Sequence, residues 1–153
     1  MPEASVNTMT EDSLDRVTLL CFSAQAKQLK LVRCIVREAS TLCGCPPTIV
    51  QDLVLAIDEA CQNIIRHAYA GVEDGKAELE ILHKDNRLEF RLHDFAPTTD
   101  KEKIKPNRPK ELRPGGLGVF LMHEVMDEVE YLPVPSGKGN LLRLLKRIER
   151  ETK

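Results

Sequence analysis

Apolar residues recur every second position in some stretches of the chain and every third or fourth in others, and the change of period divides it into elements. Arg16 to Phe22, RVTLLCF, has the β-branched and aromatic content of a strand, and Ser23 stands where a side-chain cap would open a helix. That helix is expected from Ala24 to Leu42. Leu29, Val32, Val36 and Ala39 form its apolar stripe, and Lys27, Lys30, Arg33 and Arg37 lie on another face. Gly44, Pro46 and Pro47 end it. Thr48 can cap a second helix running to Tyr69, with Val50, Leu53, Ile57, Ala60, Ile64 and Ala68 in its apolar arc. The alternating segments AELEILHK and RLEFRLHDF flank Asp85 and Asn86 as a predicted hairpin. Between Pro97 and Pro114 no period survives. After GGLG the pattern predicts a helix from Val119 to Met126, a strand over EVEYLPVP, a turn at SGKGN and a last strand over LLRLLKRI.

This order of elements predicts an α/β (α+β) two-layer sandwich, with one largely antiparallel sheet and its helices on one face. With 153 residues, 42% of them hydrophobic, the chain can fill one core and has little surplus for a second. A single domain over 15–150 is expected, preceded by a polar tail over 1–14. The net charge of −2 supplies no field that would gather nucleic acid or an anionic membrane, so neither is an expected partner. Five cysteines without a Cys-x-x-Cys pair suit reduced thiols. The polar start resembles no signal peptide, and the expected location is the cytoplasm.

Candidate chemistry lies in four places. Glu59, Asn63 and His67 are spaced four apart within AIDEACQNIIRHAY, so on a helix they form one ridge beside the apolar arc. An amide oxygen suits magnesium, and a carboxylate one turn away can deprotonate a nucleophile, although a solvated helix face has the same composition. Gly115, Gly116 and Gly118 stand just before a predicted helix, where backbone amides can meet a polyphosphate; a flexible loop end reads alike. The segment from 97 to 114 carries Lys101, Lys103, Lys105, Arg108, Lys110 and Arg113, cations suited to an anion or to a solvated linker. Asp94 closes a strand and can either cap the turn that follows or accept a hydrogen bond from the exocyclic amine of a purine.

Taken together and in this order, EACQNIIRHAY, DFAPTTD and GGLGVFLM resemble the N box and the two glycine boxes of the Bergerat-fold, or GHKL, ATP-binding superfamily, which includes histidine kinases and type II topoisomerases. Within it the chain, from about Arg16 to Ile148, is similar to the anti-sigma-factor serine kinases of the RsbW type. The resemblance implies a mostly antiparallel, mixed sheet, ATP or ADP with Mg2+ as cofactors, and a lid loop over 97–114. It implies Glu59 as general base, Asn63 as magnesium ligand and Asp94 as the adenine-selecting carboxylate. Ala96, Arg113, Gly115, Gly116, Leu117 and Gly118 fall at nucleotide-binding positions, and Arg33 at one used for partner recognition. His67 and Tyr69 belong to the motif with structural roles. Ala96 departs from the pattern, standing where the first glycine box has glycine, and an alanine enters positive φ less readily.

The function so implied is a serine/threonine protein kinase and anti-sigma factor that phosphorylates a STAS-domain antagonist, binds a sigma factor and forms a homodimer. The alternatives are a non-catalytic ATP-binding module that sequesters a partner, and a detached histidine-kinase-like ATPase domain.

Overall fold

The computed structural model describes residues 13–69, 75–96, 116–135 and 137–149. Most of the expected tail, the basic segment with its Arg113, and Gly115 lie outside the described residues. Strand β1 (Asp15–Ser23) is followed by a 3-10 turn (Ala26–Gln28), helix α1 (Leu29–Leu42) and helix α2 (Pro47–Asn63). A π turn (Ile64–Ala68) extends α2; then come β2 (Lys76–Lys84), β3 (Arg87–Asp94), α3 (Gly116–Val125), β4 (Glu128–Leu132) and β5 (Asn140–Arg147).

The strands make one sheet in the order β1-β2-β3-β5-β4. Among the described residues all four pairings are antiparallel. Period-two alternation gives the sheet two unlike faces. Leu79 and Ile81 of β2, Leu88, Phe90 and Leu92 of β3, and Leu142 and Leu144 of β5 are buried in one cluster with Val32 and Val36 of α1, Leu53, Ile57 and Ala60 of α2, and Met122 of α3. On the alternate positions buried Leu82 and Leu145 flank Glu89, and ion pairs surround them. Glu89, 1% exposed, accepts from Arg91 Nε and Arg143 Nε at 2.6 Å each, and Arg143 also reaches Glu130 at 2.8 Å. The sandwich is thus two-layered, as its alternation requires.

Several boundaries differ from the sequence reading. Ser23 remains in β1 and caps no helix, because the next amide, Ala24 N–H, donates to Gly75 O at 2.8 Å and keeps the chain tied to the sheet. The α-helix begins only at Leu29, after the 3-10 turn. Helix α2 begins at Pro47, one residue before the expected Thr48 cap, since proline has no N–H to leave unpaired in the first turn. Helix α3 begins at Gly116, so Gly116 and Gly118 lie within its first turn and not ahead of it. The EVEYLPVP strand stops at Leu132, where Pro133 can no longer donate to the ladder.

Candidate functional site

Helix α2 buries Leu53, Ile57, Ala60 and Cys61, and that choice of inward face sets Glu59 and Asn63 on its flank, both half-buried and one turn apart. The Glu59 side chain is 20% exposed and lies 3.7 Å from Arg66 Nη2. Its other neighbour is α3. A Cβ placed on Gly118 would collide with the Glu59 carboxylate. Glycine at 118 therefore lets the first turn of α3 close onto Glu59, bringing the N–H groups for which a helix has no intrahelical partner beside a carboxylate on a second helix. Such amides can hold phosphate oxygens while the carboxylate accepts a proton.

The crowding at Gly118 has a measurable consequence. The obstructing atoms are the far end of a flexible side chain, so Gly118→Ala can be accommodated by swinging Glu59 aside. Ala also favours a helix over Gly by up to about 1 kcal/mol. The expected result is an unfolding midpoint unchanged or raised, with turnover down by at least about tenfold because the carboxylate is misplaced. Turnover equal to wild type would show that Glu59 need not occupy this position.

Asp94, at the end of β3, is 4% exposed. Its Oδ1 accepts from Ala96 N–H and from Asn140 Nδ2, both at 3.0 Å. Loss of solvation raises the carboxyl above its usual range; the hydrogen bonds from Asn140 and Ala96 and the proximity of His93 oppose that rise. Asn140 opens β5 directly opposite Asp94 in the ladder. Gly139, at φ +90°, brings the chain there against the Asp94 carbonyl, where a Cβ would collide. Ala96 is buried and unstrained: among the described non-glycine residues only Asp85, at φ 54°, has positive φ. Ala96 therefore carries no positive-φ strain in this conformation.

Arg33 is engaged within the chain. Its Nη1 pairs with Asp58 Oδ1 at 2.9 Å, and Gln62 Nε2 donates to Asp58 Oδ2 at 2.7 Å. Arg66, beside Glu59, donates to Gln62 Oε1 at 3.3 Å. A polar chain thus runs from Arg33 on α1 along α2 to Glu59. His67 falls in the π turn, and Tyr69 ends it with a hydroxyl that meets Phe95 N–H at 2.9 Å. That bond brings the end of α2 to the residue after Asp94. Sequence reasoning missed Asn140, whose only signal was its place after the SGKG turn, and it missed the pairing of Asp58 with Arg33.

Glu59 on α2 thus meets the first turn of α3, and Tyr69, six residues after Asn63, ties the continuation of that helix to the residue after Asp94. Among the described residues no three His, Cys, Asp or Glu side chains are grouped to hold a metal alone. A magnesium ion fits such a setting when phosphate oxygens supply much of its coordination and a single amide supplies the protein's share.

The model of the family described as histidine kinase-like ATPase domain matches residues 22–146. The chain belongs to that family. Among similar proteins, the serine-protein kinase RsbW of Listeria monocytogenes serovar 1/2a is 33% identical over 124 residues, 76% of this chain and 78% of that protein. RsbW of Bacillus pumilus is 31% identical over 138 residues, 84% of this chain and 83% of that protein. A crystal structure of the RsbU and RsbW domains of a Mycobacterium tuberculosis protein superimposes with a TM-score of 0.62 at 18% identity, covering 89% of this chain. The histidine kinase-like ATPase domain described here spans 34% of that longer chain, and the likeness concerns the fold alone. No described helix is long and apolar enough to cross a membrane.

Proposed function

We propose that the chain is an ATP-dependent protein serine/threonine kinase and anti-sigma factor that phosphorylates a STAS-type antagonist in a partner-switching system. The observation that carries this reading is the closure of Gly118 onto Glu59, which sets a carboxylate against the helix turn suited to phosphate. Similarity to serine-protein kinases named RsbW over most of their length supports it.

In this reading the α3 amides from Gly116, Leu117 and Gly118 hold phosphate oxygens, and the free oxygen of Asp94 accepts a hydrogen from the adenine amine, since Oδ1 is already engaged by two donors. Asn63 holds magnesium, which when bound neutralises charge on the phosphates. The substrate serine oxygen forms a bond to the γ-phosphorus as the bond to the bridging oxygen of ADP breaks, and Glu59 takes the hydroxyl proton. ADP and phosphoserine result. The protein acts in the cytoplasm as a homodimer.

Arg33 contacts the protein partner, exchanging or sharing its Asp58 pairing on docking. The test is transfer of labelled phosphate from ATP to a STAS-domain protein from the same genome, measured for wild type and Arg33→Glu. Wild type labels a serine on the STAS protein. Arg33→Glu is expected to raise the KM for that protein about tenfold or more at unchanged ADP affinity, because charge reversal opposes docking. No labelling by wild type, together with tight partner binding, would instead identify a sequestering module. An unchanged KM in the variant would remove Arg33 from the interface.

A further inference from the structure

Beyond Asn63 the chain abandons α geometry for one turn. Residues Ile64–Ala68 form a π turn, closed by Tyr69 N–H donating to Ile64 O at 3.0 Å. Such turns are rare and collect at functional sites. An extra residue in a turn rotates whatever follows by roughly 100° about the helix axis, so the π turn decides where the Tyr69 ring goes.

The ring lies flat against Gly75, where an added Cβ would come within 2.5 Å of its Cγ and Cδ2. Its hydroxyl donates to Lys76 O at 2.6 Å and accepts from Phe95 N–H at 2.9 Å. Both ladders of β3 end at Asp94, which pairs with Ala77 and Asn140, so Phe95 is the first residue the sheet no longer holds. Its amide is held by the phenol instead. The following amide, Ala96 N–H, is one of the two donors that orient Asp94.

We infer that Tyr69 is a positioning residue: its hydroxyl fixes the β2 and β3 ends against the helix carrying Glu59 and Asn63, and so sets the register between purine selection and phosphate handling. The inference rests on Asp94 being the purine contact. The bond to Phe95 N–H fixes the Asp94–Phe95 peptide, and the next peptide delivers Ala96 N–H to Asp94, setting the direction of the carboxylate. Tyr69→Phe keeps the ring on Gly75 and removes both hydroxyl bonds.

The experiment titrates the full chain, with magnesium, against ADP and against IDP, whose hypoxanthine lacks the exocyclic amine. Amide exchange at Phe95 is followed alongside. Wild type prefers ADP. In Tyr69→Phe the preference is expected to shrink about tenfold, mostly through weaker ADP binding, as befits weakening of the one hydrogen bond by which Asp94 selects the purine. Phe95 exchange accelerates while the β2–β3 ladder stays protected. Gly75→Ala, which displaces the ring but keeps the hydroxyl, should shrink the preference in the same direction and carries the test if Tyr69→Phe does not fold. An unchanged preference in both variants, or equal losses for ADP and IDP, overturns the positioning role. Asp94→Asn separates the two ideas: if it binds ADP and IDP as wild type does, the purine assignment itself is wrong.

Discussion

Glu59→Ala should lower phosphoryl transfer by about 10²–10⁴-fold while ADP affinity stays within about twofold, the range expected for removal of a general base. The two halves of that expectation have separate origins. Transfer falls because the truncated side chain leaves no acceptor beside the first turn of α3. Binding survives because the base and phosphate contacts assigned to Asp94 and the α3 amides do not pass through residue 59. Single-turnover transfer from saturating ATP, paired with an ADP titration, measures both. Transfer at the wild-type rate would remove Glu59 from the chemistry; loss of ADP binding would make it a binding residue.

Asp94→Asn should do the reverse, weakening ADP about 10–100-fold, since it replaces a charged acceptor by an amide whose NH2 opposes the adenine amine. Its effect on the empty protein has the opposite sign. Burial, the largest influence, raises the Asp94 carboxyl above its ordinary 3.8, against the pull of Asn140, Ala96 and His93. A carboxyl raised on folding adds stability in its neutral form, fully present below the unfolded value and lost as pH rises through the folded one. At pH 7 the ionised Asp94 therefore costs stability. Asn keeps an Oδ1 acceptor for Ala96 and Asn140 without the charge, so the apo midpoint of Asp94→Asn is expected to equal or exceed wild type at pH 7 and to lose that advantage near pH 4. The charge also reaches Tyr131, whose hydroxyl is raised first by burial and then by Asp94. A lower apo midpoint at neutral pH would contradict this account of the site as stability surrendered for binding.

The layering of the fold was legible because it follows from period. Strands β2 and β3 alternate so regularly that their inward set, Leu79, Ile81, Leu88, Phe90 and Leu92, could be written down from the pattern. Helix starts were not legible. Ser23 and Thr48 have the chemistry of caps, but the amide after Ser23 is claimed by Gly75, an interaction across dozens of residues that no local window contains. The glycine box gave the same difficulty. Glycine disfavours helix interiors, which places Gly116 and Gly118 ahead of α3 on propensity, whereas contact with Glu59 repays the helical position.

For the proposed site, Glu59, Asn63 and Asp94 could be nominated because each pairs a reactive group with a defined place on an element. Their supports were hidden because orientation depends on partners far along the chain. Asn140 reads as a turn residue until β5 is laid beside β3, and Tyr69 reads as a motif aromatic until the π turn aims its hydroxyl at Phe95. Ala96 errs in the other direction. It looked strained only under the assumption that the backbone there has positive φ, which it lacks.

In the proposed arrangement the α2 ridge, the Asp94 strand end and the α3 turn form one magnesium-nucleotide site. Thermal unfolding of the full chain with ADP and magnesium, and with ADP and chelator, tests it most directly. A ligand at 100 times its Kd stabilises by about 2.7 kcal/mol, which raises the midpoint of a domain of this size by about 5–10 °C. A rise in that range is expected with magnesium and a smaller one with chelator. A midpoint unmoved by ADP in either condition would contradict the arrangement.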